Sequence, residues 1–210
     1  MRVFTNPCLA PVLAVVTLAA APAPSRAQTQ TEPVPVPAQT APASAPSQAA
    51  SDAAKLDELF AELEQPGRED WEKVESQITQ IWSRSGSPSM DLLLARGNAA
   101  LAAEDYPTAI EHFSALIDHA PDFAEGWNGR ATAYFLMGEY SLSIADVEHV
   151  LVLNPRHFGA LAGLGFMLEQ MDEPQFALRA LEASQKLNPN RPNVNEAVKR
   201  LELMTGDAEL

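Results

Sequence analysis

Cysteine is nearly absent from this 210-residue chain, in which Cys8 is the single one. One thiol excludes an internal disulfide framework and any zinc or iron–sulfur site built from several cysteines. Basic residues are also scarce, with 14 Lys and Arg against 28 Asp and Glu, and the formal net charge is −14. Because nucleic-acid binding needs an excess of Lys and Arg against phosphate, this composition argues against a nucleic-acid surface, and we predict no nucleic-acid partner. The apolar share of 46% is sufficient for a globular core.

The N-terminal segment 1–27 is predicted to be a signal peptide. It contains no acidic residue, and its apolar run from Leu9 to Ala21 is shorter than the ~20 residues that a membrane-spanning helix needs. Ser25 and Ala27 are the small residues that a signal peptidase recognises, which places the cleavage before Gln28. We therefore expect a periplasmic or secreted protein with no stable membrane insertion after cleavage.

Residues 28–51 are predicted to be a disordered linker rich in Pro and Ala. The segment has too little apolar bulk to offset the entropy of ordering, and its prolines favour the extended polyproline II conformation. It has the composition of a semi-rigid spacer. A ligand for a proline-recognition domain is the alternative that stays open.

Residues 52–88 are predicted to form a degenerate helical hairpin. Apolar residues recur every three or four positions in both halves, and Gln65-Pro66-Gly67 separates the halves. The first stripe contains Leu56, Leu59, Phe60 and Leu63, and the second contains Trp71, Val74, Ile78, Ile81 and Trp82. Two helices cannot bury both stripes by themselves, so we expect the hairpin to pack on a later part of the chain.

From Met90 onward the sequence repeats with a period of 34 residues. The repeated columns are Pro121, Pro155 and Pro189; Gly97, Ala131 and Gly165; Ala109, Ser143 and Ala177; and Phe113, Val147 and Leu181. The small residues let the two helices of one hairpin cross closely, and the bulky residue four positions further on fills the gap between hairpins. Each proline ends a unit, because the residue before a proline is displaced from helical geometry.

This pattern resembles the tetratricopeptide repeat family, in which Trp, Leu-Gly, Tyr, Ala, Phe and Pro recur at set positions of a 34-residue unit. The middle unit carries Trp127, Tyr134 and Pro155, whereas Arg96 and Arg130 depart from the family at its Leu position. The resemblance implies an all-α fold, a right-handed α-solenoid of three helix hairpins. Their predicted ranges are 90–123, 124–157 and 158–191.

Both ends of such a solenoid need a cover for apolar surface. Residues 192–210 are predicted to contain a C-terminal capping helix, whose apolar stripe is Val194, Ala197, Val198, Leu201 and Met204. The hairpin at 52–88 is expected to cover the opposite end.

No motif of an enzyme, a metal site or a cofactor site stands out. The sequence lacks a Gly-x-Ser-x-Gly elbow and a Gly-x-x-x-x-Gly-Lys phosphate loop. His112 and His119 are seven residues apart, too far for the pair at i and i+4 that holds a metal. We predict no catalytic residue, no metal and no cofactor, and a protein that is not an enzyme. Gly163 has no explanation in the repeat pattern, and tight packing or room for a ligand backbone are both open.

The resemblance implies a concave groove lined by the first helix of each hairpin, in which family members hold peptides or helices of other proteins. Projecting the repeat onto this groove gives the candidate partner-binding residues Leu94, Asn98, Leu101, Asn128, Thr132, Phe135, Phe166 and Glu169. This mixture suits an apolar side chain in a pocket together with hydrogen bonds to a peptide backbone. In the alternative arrangement, Leu94, Leu101, Phe135 and Phe166 pack against the N-terminal hairpin or the C-terminal helix.

The family's clamp for the C-terminal carboxylates of heat-shock chaperones uses several Lys and Arg on the groove helices. Asn98 matches one clamp amide, but Leu94, Gly129, Gly159 and Gly163 occupy the other positions, so this chaperone function is not expected. We predict a periplasmic adaptor or scaffold that binds a peptide or protein segment of unknown identity in the groove. The alternatives are a structural assembly protein that acts through an acidic convex surface and an enzyme with its site in the groove.

Overall fold

A computed structural model describes residues 48–206. In this range the chain forms nine helices and no strand. They are α1 Gln48–Leu63, α2 Trp71–Trp82, α3 Pro88–Ala102, α4 Tyr106–His119, α5 Ala124–Leu136, α6 Tyr140–Leu153, α7 Phe158–Gln170, α8 Pro174–Leu187 and α9 Pro192–Gly206. The predicted signal peptide and residues 28–47 of the predicted linker lie outside the described residues. None of the helices in the described part is long and apolar enough to cross a membrane.

Helix α1 begins at Gln48, so the last four residues assigned to the linker are helical instead. The segment after Gln48 is rich in alanine, the residue with the highest helix propensity. The Gln48 side chain also donates a hydrogen bond of 2.8 Å to Asp52 Oδ1, one helical turn ahead.

Helices α3 to α8 form the three predicted hairpins, and glycines set how closely they pack. A Cβ on Gly97 of α3 or on Gly129 of α5 would lie 2.4 Å from Phe113 Cε1, so the Phe113 ring on α4 fits only between two glycines. In the third hairpin a Cβ on Gly165 would lie 2.4 Å from Leu181 Cγ. The small and bulky columns therefore have the packing roles predicted from the period, and the all-α solenoid of hairpins is confirmed.

The turns inside the hairpins share one backbone conformation. Glu104, Gly138 and Asp172 stand 34 residues apart and have φ values of 59°, 78° and 61°. This left-handed conformation costs a non-glycine residue about 1–2 kcal/mol. Only the middle hairpin uses glycine there, so the first and third hairpins tolerate local backbone strain in order to keep the same turn.

Helix α9 packs its apolar stripe against the third hairpin. Val194, Ala197, Val198 and Leu201 are buried in one cluster with Ala162 of α7 and with Ala177 and Leu181 of α8. Met204, which the sequence pattern also placed in this stripe, is exposed.

The N-terminal helix pair, α1 and α2, does not continue the stack at the first hairpin. Its buried side chains Leu59, Phe60, Leu63, Val74 and Ile78 share a cluster with Phe158 at the start of α7, and Leu187 at the end of α8 packs against the same cluster. The pair therefore lies across the turns that come after the second and third hairpins, at 154–157 and 188–191. The expectation that it covers the free end of the first hairpin is wrong.

Polar side chains fix the N-terminal helix pair in this place. Arg191 Nε donates to Glu75 Oε2 on α2 at 2.9 Å, and Asn188 Nδ2 donates to the same oxygen at 2.9 Å. Asn190 Nδ2 donates to the Leu63 carbonyl at the end of α1 at 3.1 Å. These bonds satisfy buried polar groups in the turn before α9, so they give the pair a single docked position.

Candidate functional site

A pocket lies between α5 and α7, and we call it the concave pocket. It has a volume of about 210 Å³. Its ten lining residues come from α5, α6 and α7; they are Asn128, Ala131, Thr132, Phe135, Ser143, Val147, Gly159, Ala160, Gly163 and Met167. Three of them, Asn128, Thr132 and Phe135, are among the predicted groove residues. The structure therefore brings the predicted residues of the middle hairpin together on one surface.

Glycine opens the α7 side of this pocket. A Cβ on Gly163 would meet no atom within 4 Å, and a Cβ on Gly159 would meet only the His157 ring, at 3.4 Å. Gly163 therefore faces free space, and the interpretation that it serves tight helix packing is wrong. A helix-interior glycine costs about 1 kcal/mol against alanine, and no packing contact offsets that cost here.

The pocket combines an apolar wall with two uncharged polar groups. Ala131, Val147, Ala160 and Met167 are buried core residues whose surfaces reach the pocket. Asn128 supplies an amide with donors and an acceptor. Thr132 Oγ1 donates to the Asn128 carbonyl at 2.8 Å, so its hydroxyl oxygen can act only as an acceptor for a ligand.

The predicted residues of the first hairpin lie apart from the pocket. Leu94 is only 6% exposed and packs in the cluster of Phe113 and Leu116, so it is a core residue and not a groove residue. Leu101 is half-buried against the same cluster. Asn98 is exposed, but it does not line the concave pocket.

The predicted groove residues of the third hairpin contact α9. Phe166 is half-buried and packs against the cluster that α9 forms with α7 and α8. The Glu169 carboxylate accepts hydrogen bonds from Arg200 of α9, with Nη2 at 2.7 Å from Oε1. The packing alternative that left Phe166 to the C-terminal helix therefore describes it correctly, and neither residue lines the pocket.

The sequence did not predict two of the apolar residues that line the concave pocket. Val147 on α6 belongs to the bulky column of the repeat and Met167 on α7 belongs to none of the columns, so neither is a predicted groove residue. The one usable signal was Gly163, a helix-interior glycine outside the repeat columns. A gap in a helix surface is invisible in the sequence unless the residues opposite it are known.

Arg130 on α5 is half-buried and serves the fold through an ion pair. Arg130 Nε and Nη2 donate to the two Asp146 oxygens, both at 2.8 Å, and Nη1 donates to Ser114 Oγ at 3.1 Å. The hydrogen bond to Asp146 raises the pKa of the Arg130 guanidinium above its ordinary value, although burial acts in the opposite direction. Arg130 stands where the family has Leu. Its ion pair with Asp146 joins α5 to α6, and its hydrogen bond to Ser114 joins α5 to α4.

The pocket presents no group for acid–base chemistry. Its ten residues include no His, Cys, Asp, Glu, Lys, Arg or Tyr. Its one buried hydroxyl, Ser143 Oγ, donates to the Ala131 carbonyl at 2.7 Å. Over residues 48–206, no three His, Cys, Asp or Glu side chains come together in a group that could hold a metal ion. The arrangement can hold an uncharged chemical group by burial and hydrogen bonding.

Comparison with known proteins gives clear relatives. A TPR repeat-containing protein of Rhizobium etli is 37% identical over 150 residues, which are 70% of this chain and 72% of that protein. Small glutamine-rich tetratricopeptide repeat-containing protein 2 of Saccharomyces cerevisiae is 31% identical over 134 residues, 63% of this chain but only 38% of the yeast protein. No family model matches the sequence.

A solved structure agrees with the observed architecture. The first TPR of Spaghetti (RPAP3), bound to the HSP90 peptide SRMEEVD, matches with a TM-score of 0.54 and 20% identity. The match covers 56% of this chain and 93% of that one. This match supports the fold. The Rhizobium relative, together with the 34-residue period, shows that this chain belongs to the tetratricopeptide repeat family, whose members are protein-interaction modules.

Proposed function

We propose that the protein is an exported adaptor that binds a peptide or protein segment along its concave side, with one uncharged side chain of the partner in the concave pocket. The observation that carries the proposal is the open space at Gly163 above an apolar floor. Asn128 and Thr132 at this site can hydrogen-bond to the peptide backbone beside the inserted side chain. A preformed pocket limits the entropy lost on binding.

The proposed partner differs from an acidic peptide terminus. Leu94 is in the core, and Gly159 and Gly163 line the concave pocket, so these positions of the family's clamp offer no cation. An unpaired carboxylate in this apolar pocket would lose its hydration without gaining a charge partner. Leucine, methionine or phenylalanine side chains fit the chemistry of the walls better. Binding without catalysis is consistent with the same lining, which lacks titratable groups.

Nuclear magnetic resonance can test the pocket with simple probes. N-acetyl-leucinamide and N-acetyl-phenylalaninamide are titrated into the ¹⁵N-labelled full chain, with N-acetyl-aspartate amide as the charged counterpart. We expect the two apolar amides to shift the Gly159, Ala160 and Gly163 amide signals with a dissociation constant of ~1 mM, and the aspartate amide to cause no shift.

The substitution Gly163→Leu is expected to abolish those shifts, because its side chain fills the pocket. Gly206→Leu is the matched control, since Gly206 also faces open space but lies at the end of α9. Unchanged binding by Gly163→Leu, or equal binding of the aspartate amide, would refute the assignment of the pocket.

Export is the second part of the proposal, and its support is the segment 1–27 with its acid-free start and small residues at 25 and 27. Mass spectrometry of the protein purified from a bacterial envelope fraction is expected to find a chain that starts at Gln28. A cytoplasmic protein that keeps residues 1–27 would contradict this part and leave the pocket unaffected.

A further inference from the structure

A buried histidine–glutamate pair lies between the N-terminal helix pair and the concave pocket. His157 is 5% exposed and Glu125 is 8% exposed. Burying such groups is costly unless each finds partners. The repeat does not require them, because the residues 34 positions before and after His157 are Phe123 and Arg191, and those around Glu125 are Asp91 and Gly159. The repeat period therefore does not account for the pair, although the His157 side chain caps the N-terminus of α7.

The hydrogen bonds of this pair reach both walls of the pocket. His157 Nδ1 accepts a bond from the Ala160 backbone N–H at 3.0 Å, so the ring proton lies on Nε2, which faces Glu125 Oε1 at 3.2 Å. The other carboxylate oxygen, Oε2, accepts a bond from Asn128 Nδ2 at 3.3 Å. Ala160 and Asn128 both line the pocket. One imidazole thus holds the start of α7 and, through Glu125, the amide on α5.

The outer face of the imidazole is held by the N-terminal helix pair. The Trp82 ring at the end of α2 stacks on the His157 ring with centroids 4.6 Å apart and planes 23° apart. Trp82 is itself fixed by Phe60 of α1, at 5.9 Å between centroids, and by Phe158, at 5.3 Å. The position of His157 therefore depends on whether α1 and α2 are docked.

We propose that the docked N-terminal helix pair sets the shape of the concave pocket through the contacts Trp82–His157–Glu125–Asn128. This inference rests on the proposed function, because it concerns the regulation of the same pocket. Trp82, His157 and Glu125 are positioning residues: they do not line the pocket, and they act through Asn128 and Ala160. Coupling of two sites is reciprocal, so a ligand in the pocket also stabilises the docking of α1 and α2.

The first test needs no ligand and uses two tryptophans of the same helix. Trp82→Leu removes the ring that stacks on His157, whereas Trp71→Leu removes a ring at the other end of α2 that packs against the same apolar cluster. We expect the Ala160 amide to exchange its hydrogen at least about fivefold faster in Trp82→Leu, because its acceptor on His157 loses its fixed position. The same amide should keep its wild-type rate in Trp71→Leu. Equal rates in wild type and Trp82→Leu would overturn the inference.

The second test titrates N-acetyl-leucinamide into the same full-chain variants and into Glu125→Gln. We expect about fivefold weaker binding in Trp82→Leu and Glu125→Gln, and wild-type binding in Trp71→Leu. In the wild type, saturating amide should also slow hydrogen exchange in α1 and α2, which do not line the pocket. Failure of the wild type to bind the amide would refute the proposed function itself. Wild-type binding with equal affinity in Trp82→Leu, or no slowing in α1 and α2, would refute only the coupling.

Discussion

The three hairpins and the N-terminal helix pair are both made of antiparallel helices, but they are held by different kinds of contact. In the hairpins, glycine backbones receive bulky side chains, as Phe113 fits between Gly97 and Gly129. The N-terminal helix pair reaches the rest of the molecule through side chains only: an apolar cluster around Phe158, the stacking of Trp82 on His157, and the ion pair of Glu75 with Arg191. Where a side chain packs directly on a glycine backbone, almost no substitution is tolerated. Contacts between side chains can instead break together while the helices themselves stay intact. We therefore expect the hairpins to keep their packing under conditions in which the N-terminal helix pair opens.

The largest expected effect comes from removing one ring in each region. Phe113→Ala should cost the hairpins about 3–5 kcal/mol in the free energy of unfolding, because the ring is fully buried between two hairpins. Phe60→Ala removes a ring of equal size from the N-terminal helix pair, and its effect should stay there. Hydrogen exchange followed by mass spectrometry should find faster exchange across α3 to α6 in the first variant and only in α1 and α2 in the second. Equal opening of α3 to α6 by both variants would erase the distinction between the two regions.

A smaller change in the free energy of unfolding is expected from alanine substitutions at two glycines on neighbouring hairpins. Gly129→Ala should destabilise the protein by about 1–3 kcal/mol, because the new Cβ would overlap Phe113. Gly163→Ala meets open space and should stabilise α7 by up to about 1 kcal/mol through helix propensity. Urea unfolding of both variants gives the two values. A loss of stability in Gly163→Ala would mean that the pocket is too narrow to accept even a methyl group.

The fold of the hairpins was predictable because their contacts are local and periodic. Gly97 and Phe113 are 16 residues apart, and the same spacing recurs between Gly165 and Leu181, so the sequence alone reports which surfaces meet. The position of the N-terminal helix pair was not predictable. It is decided by single side chains such as Asn188 and Arg191, which lie more than a hundred residues from their partner Glu75 and have no periodic counterpart.

The candidate site was predictable only where no other helix packs on the predicted groove residues. Asn128, Thr132 and Phe135 lie on the middle hairpin and line the concave pocket as projected. Phe166 and Glu169 occupy matching positions on the third hairpin, but α9 covers Phe166 and forms an ion pair with Glu169. Because α9 is outside the repeat, the period contains no information about what it will cover.

The placement of the N-terminal helix pair has a consequence for the order of events on the ribosome. Glu75 binds Arg191, which is joined to the chain 116 residues later, and the Leu63 carbonyl binds Asn190, 127 residues later. Helices α1 and α2 therefore lack the part of their docking surface at Leu187 to Arg191 until the third hairpin has emerged, although Phe158 and the turn at 154–157 are made earlier. Closing so long a loop also costs entropy that the growing chain can recover only at that moment. Helices α1 and α2 can therefore reach their complete set of contacts only after the third hairpin has been made.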